Sequence, residues 1–188
     1  MKNLSTIVRI LFLTVLILLL RGYRYGESDH EIYLPILMAH ADPELFPGDL
    51  VAHSRQNSDS LFWPLLFALQ PFLPLPWLFL ILHGASLALT IHALLRIYHR
   101  FYPQSPGGEA VVLCLVTPSL FCLGGIELFA DHLLPRNLAI PFSLLAFHAC
   151  IRGKFVSAGF FAGLSLAFHP ITGLPLSLWL GSVTLLLR

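Results

Sequence analysis

The sequence predicts an all-α protein, a polytopic bundle of about six transmembrane helices with its N-terminus inside and a long first outer loop carrying amphipathic surface helices. Three observations lead there. The chain is 56% hydrophobic and 11% charged, with a mean hydropathy of +0.78, whereas soluble domains carry roughly 25% charged residues. Apolar stretches close to the length of a bilayer crossing recur along it. Its charges are also segregated by sign. Of ten acids, nine lie in two segments between apolar stretches: Glu27, Asp29, Glu31, Asp42, Glu44, Asp49 and Asp59, then Glu127 and Asp131. The remaining connections carry Arg96, Arg100, Arg152 and Lys154, with Glu109 as their one acid.

The first expected span is 4–20. Lys2 and Arg9 precede its apolar run, and Arg9 can snorkel to the inner surface. Arg21-Gly22-Tyr23-Arg24 follows without a small-x-small cleavage site, so an uncleaved helix is expected rather than a signal peptide. Residues 21–60 form a polar outer loop. The apolar text after it is broken by Pro64, Pro71, Pro74 and Pro76. It divides into a surface helix at 60–70, too short to cross, and a second span at 75–98.

His99, Arg100, Gly107 and Gly108 mark an inner loop, and 110–126 is the third span. Residues 127–137 return outside. The fourth and fifth spans are 133–151 and 155–168. Their most apolar parts are short for a core of ~30 Å, so a re-entrant hairpin is the alternative. Arg152-Gly153-Lys154 between them reads as a tight inner turn. The sixth span is 171–187. This arrangement puts Lys2, Arg9, Arg96, Arg100, Arg152, Lys154 and Arg188 inside, and Arg21, Arg24, Arg55 and Arg136 outside, in the sense of the positive-inside rule. Gly159 with Gly163, and Gly84 with Ala88, are small-residue pairs suited to close helix approach.

Several classes are excluded or unsupported. No basic stripe or zinc-finger pattern points to nucleic acid. HExxH, GxSxG, Walker and GxGxxG patterns are absent. Cys114, Cys122 and Cys150 sit in apolar text without CxxC spacing and read as small hydrophobes. His83 and His92 are nine residues apart on one helix, hence on opposite faces.

The richest chemistry lies at the start of the outer loop, Tyr25-Gly26-Glu27-Ser28-Asp29-His30-Glu31. A carboxylate at a lipid–water boundary is partly desolvated and suited to act as a general base. Two carboxylates two residues apart can instead ligate a divalent cation, and the spacing leaves both roles open. Asp131, His132 and Arg136 share the second outer segment, where a guanidinium fork suits a phosphate. His169 precedes Pro170 at the outer end of the fifth helix.

A hydrophobic first helix, a long outer loop opening on an acidic pair, surface helices near 31–41 and 60–70, and the later Leu134-Pro135-Arg136-Asn137 and Phe168-His169-Pro170-Ile171-Thr172-Gly173 resemble the GT-C class of membrane glycosyltransferases of bacteria. The resemblance implies transfer of a sugar from a lipid-phosphate-linked donor at the outer face of the cytoplasmic membrane. Glu27 and Asp29 then match the acidic pair as catalytic residues, with Arg136, His169 and His30 as substrate-binding residues. Membrane lipids and the lipid-linked donor are the expected partners. Members of the class usually continue with further spans, so the resemblance implies either an N-terminal fragment of such a protein or a truncated homologue. The alternatives are a non-catalytic membrane scaffold or truncated homologue and a transporter subunit, the last disfavoured because the spans hold no acid and show no internal repeat.

Overall fold

The computed structural model describes residues 2–52, 60–116 and 129–186, and the side chains of residues 5–52, 60–116 and 129–182. Expectations for Lys2, Arg55, Asp59, Cys122, Glu127, Arg188 and the second half of the third expected span lie outside the described side chains. Eight helices form among the described residues: α1 (Lys2–Arg21), α2 (His30–Ala41), α3 (Phe62–Leu69), α4 (Leu75–Phe101), α5 (Gly108–Val116), α6 (Pro135–Cys150), α7 (Phe155–Phe168) and α8 (Pro170–Leu186).

The all-helical class therefore stands, but the six-span polytopic bundle does not. Among the described residues one helix, α4 with 27 residues, is long and apolar enough to cross a membrane. The reason is the length of unbroken helix. α6 has 16 residues, α7 has 14 and α8 has 17. At ~1.5 Å per residue they reach about 21–26 Å, short of a ~30 Å hydrocarbon core. Much of their apolar text packs helix on helix.

Proline and glycine set the helix ends. Pro74 precedes α4 in an extended conformation (φ −54°, ψ 139°), and Pro76 falls in its first turn. Leu134 is extended (φ −122°, ψ 157°) before Pro135 opens α6, a place where the missing N–H of proline is harmless. Between α6 and α7, Gly153 takes φ +68°. Its N–H donates to Cys150 O at 2.8 Å, and Lys154 N–H donates to Ala149 O at 2.9 Å, closing α6 with a left-handed cap.

The chain packs as a row of helices. α4 lies against α1, α5 and α6, and α6 lies against α7 and α8. Leu13, Ile17, Leu87, Ile91 and Val112 join α1, α4 and α5 in one core. Leu37, Phe62, Leu66, Phe79 and Leu133 join α2 and α3 to the start of α4 in a second. Ala146, Ala149, Ala158, Ala162 and Leu180 join α6, α7 and α8 in a third. The tightest approach of α7 and α8 is at Gly173, where a Cβ would overlap the backbone of Leu166 and Ser165. A Cβ at Gly159, Gly163 or Gly84 would meet nothing within 4 Å, so the small-residue pairs do not make the close contacts. The outer face of α1 leaves Val8, Leu11, Phe12, Val15 and Leu19 exposed, and Ile171, Leu174 and Leu178 are exposed on α8.

Candidate functional site

Three segments far apart in sequence meet at the end of the bundle where α4 and α6 begin. The first follows α1. Gly22 (φ +75°) ends that helix, and its N–H donates to Leu18 O at 3.0 Å. The next residues turn through Gly26 (φ +86°) and Ser28 (φ 58°) into α2. The second segment is 129–137, leading into α6. The third is Phe168–Thr172, between α7 and α8.

Arg24 joins the first to the second. Its backbone N–H donates to Asp131 O at 3.1 Å, and its Nε lies 3.1 Å from Asp131 Oδ2. Its Nη1 lies 3.3 Å from Glu27 Oε2. Asp131 Oδ1 in turn is 2.8 Å from His132 Nδ1. Glu27, Arg24, Asp131 and His132 thus form one chain of alternating partners. Burial raises the Asp131 pKa, but the hydrogen bond and charge of His132 and the nearby Arg24 and Arg21 guanidiniums outweigh it and hold the carboxyl below its ordinary value. His132 Nε2 is buried with no hydrogen-bond partner. A carboxylate on one ring nitrogen with the other left open is the arrangement that orients an imidazole for proton transfer.

His30 is the second tie. It is fully buried, and the Gly26 N–H donates to its Nδ1 at 3.2 Å. The proton therefore sits on Nε2, which donates to Leu133 O at 3.0 Å. Phe79 closes over the ring at 4.7 Å between centroids, and the His132 ring stands perpendicular to it at 5.3 Å. Burial, first of the causes, lowers the His30 pKa.

Asn137 is the third. Fully buried in the first turn of α6, it donates from Nδ2 to His132 O at 2.8 Å and to Ala130 O at 3.4 Å. Its Oδ1 accepts the Ala130 N–H at 3.4 Å. The His83 ring on α4 lies 3.4 Å from Nδ2, and Ser86 Oγ donates to the Asn137 carbonyl. Segment 130–137 is thereby folded back on itself against α4. Tyr23 packs on His83 at 5.1 Å, and its hydroxyl is buried without a partner.

The residues singled out in the sequence are distributed over this end. Glu27 and Asp29 are exposed on its rim. Glu27 is held by Arg24, and Asp29 precedes α2 with no side-chain cap bond. Arg136 is half-buried beside Asn137, and its Nε is buried without a partner. Arg136 lies near enough to His169 that its charge, after burial, depresses the His169 pKa. His169 Nδ1 is 2.7 Å from Thr172 Oγ1 and accepts the Thr172 N–H at 3.3 Å. The third segment is tied to the start of α3 by Ser60, whose Oγ donates to Phe168 O at 2.6 Å, and by Leu61 N–H to Ala167 O at 2.8 Å.

Both ring nitrogens of His30 are engaged inside the protein, which makes it a positioning residue in this arrangement. Among the described residues no group of three or more histidine, cysteine or acidic side chains converges on a cation-sized space. The divalent cation considered from the Glu27/Asp29 spacing is therefore without a ligand set here. Asn137, Tyr23 and the Arg24 bridge were not singled out by the sequence. The one signal for Asn137 was its place directly after Pro135-Arg136, in the first turn of a helix. A scan against protein-family models, a search of curated proteins and a search of solved structures each return no match for this chain.

Proposed function

We propose that the chain is a membrane-seated, glycosyltransferase-like module whose reaction centre lies at the Arg24 end of the bundle and whose donor is a lipid-phosphate-linked sugar. The observation that carries the reading is the Arg24 bridge. It ties the acidic start of the outer loop, by Glu27, to Asp131 in the segment that carries Arg136, so acids and a phosphate-suited cation share one end of the fold. The resemblance in sequence layout supports it. So do the apolar helix α4 and the exposed apolar face of α1, since contiguous apolar surface marks a membrane or partner contact.

In this reading the acceptor hydroxyl gives its proton to the Glu27 or Asp29 carboxylate. The acceptor oxygen bonds to the anomeric carbon as the bond from that carbon to the phosphate oxygen breaks. The lipid phosphate leaves as an anion held by Arg136, with His169 beside it. Removing the base should slow turnover by roughly 10²–10⁴-fold. The test is transfer from a radiolabelled polyprenyl-phosphate sugar in membrane vesicles holding the protein, its Glu27→Gln and Asp29→Asn forms and the double variant. Wild-type transfer by the double variant would sink the assignment of the base.

One observation favours the second reading, a non-catalytic membrane scaffold. Glu27 is committed to Arg24 and His30 is engaged on both ring nitrogens, as parts of a clamp that only holds the outer loop would be. A modestly lowered unfolding midpoint in Arg24→Gln, with no transfer by the wild type, is the result that scaffold predicts.

A further inference from the structure

The opposite end of the bundle holds a cavity that the transferase reading does not use. α4 and α6 run in the same direction, since Ser86, about midway along α4, meets Asn137 at the start of α6 and the last turns of both helices meet again around this cavity. Arg96, His99 and Arg100 of α4, His148 of α6 and Arg152 just beyond α6 line a space of about 550 Å³. Arg96 and Arg100 are four residues apart on α4 and so share one helix face, while His148 is in the last turn of α6 and Arg152 in the turn that follows it. Roughly 20 Å of helix separates this end from Asn137.

Two facts set the cavity apart from an ordinary basic surface. First, among the described residues three guanidiniums and two imidazoles share it without an acid. Among the described residues Arg96, Arg100 and Arg152 make no ion pair, and Glu109 in the first turn of α5 is 3.6 Å from Arg9 instead. Second, His148 is 8% exposed, yet neither of its ring nitrogens has a hydrogen-bond partner. A neutral imidazole always carries one N–H, and leaving it buried and unpaired is unfavourable. The negative ends of the helix dipoles account for arginines in last turns, but they supply no acceptor to His148.

We propose that this cavity is a binding site for a phosphate group, held by the Arg96, Arg100 and Arg152 forks with His148 donating from its floor. A tetrahedral oxyanion of more than one charge matches three forks and one inner donor, and guanidinium pairs such oxygens two at a time. The cavity is larger than a bare phosphate, so it accommodates a phosphate carried on a larger group. The carrier is either a lipid, as in a phosphatidate headgroup, or a soluble phosphate ester.

The purified full chain in neutral detergent is titrated with inorganic phosphate and pyrophosphate against potassium chloride of equal ionic strength. In parallel it is placed in nanodiscs of phosphatidylcholine with or without phosphatidate. Unfolding temperature and the His148 ring nitrogen resonances are followed. The expected result is saturable stabilisation with a shift of the His148 resonances, weakened by about tenfold or more in affinity in Arg96→Gln and Arg152→Gln. Lys154→Gln removes one nearby charge outside the cavity lining and should bind as the wild type does. Response to inorganic phosphate or pyrophosphate assigns a soluble ligand, and response to phosphatidate alone assigns a headgroup. No saturable response in either arm overturns the proposal. So does equal weakening in Lys154→Gln, or saturation with the His148 resonances unmoved.

Discussion

The Nε2 of His30 donates to the carbonyl of Leu133 at 3.0 Å, joining residues 103 positions apart in the chain. With Gly26 N–H on Nδ1, this neutral ring pins the turn after α1, together with α2, to the segment that leads into α6. His30→Phe keeps a ring among Tyr25, Phe79 and His132 but leaves the Leu133 carbonyl and the Gly26 N–H unpaired. The expected loss is ~1–3 kcal/mol for each group left buried and unmet. Chemical unfolding in detergent would read it, and an unchanged midpoint would show that water replaces both bonds.

The same residue sets a pH dependence. Burial lowers the His30 pKa below its ordinary 6.5, so between that value and its folded pKa the unfolded state binds the proton more readily. Stability is fully present above pH 6.5 and declines as pH falls below it. Asp131, also depressed, adds a second loss starting only below 3.8. In His30→Gln the decline beginning near 6.5 should shrink while the loss below 3.8 persists. Melting temperatures collected across the acid range distinguish the two windows.

Arg24 and Asp131 should be coupled, though weakly. The guanidinium is well exposed, so the direct pair contributes about 0.2–1 kcal/mol. A double-mutant cycle with Arg24→Gln and Asp131→Asn measures that coupling. A value indistinguishable from zero would mean the backbone bond from Arg24 to Asp131 O alone holds the segments together.

Glycines of α7 and α8 should respond in opposite ways to alanine. At Gly173 the added methyl meets the backbone of Leu166 and Ser165, neither of which is a flexible side-chain end. The two helices must separate, at a cost of roughly 1–3 kcal/mol or more. At Gly159 and Gly163 there is open space, and alanine should stabilise by up to about 1 kcal/mol through helix propensity. Thermal unfolding of the three variants checks the ranking, and a destabilised Gly163→Ala would place a neighbour where the structure has none.

The helical class was legible in the sequence, and so were the helix ends. Pro74, Pro135 and Pro170 stand at helix starts and Gly153 at a helix end because φ restriction and glycine's freedom act within a few residues. A helix within 60–70 was visible for the same local reason, and one near 31–41 was expected from the resemblance. What composition could not tell was the destination of each apolar face. Ala146, Ala158 and Ala162 look alike in a hydropathy count whether they face lipid or, as here, a neighbouring helix. That is why six crossings were expected where one helix among the described residues has the length and apolarity.

The site divides along the same line. Glu27, Asp29 and Arg136 were conspicuous by type and by their place beside apolar text. Their relationships were set by contacts more than a hundred residues apart: Arg24 on Asp131, His30 on Leu133, Ser60 on Phe168. Asn137 and His148 were inconspicuous because a buried polar side chain is defined by its surroundings rather than its neighbours in sequence. Local chemistry was determined by the chain's own order. The choice of partners was made by packing, which decides which polar groups leave water and so which must find a bond.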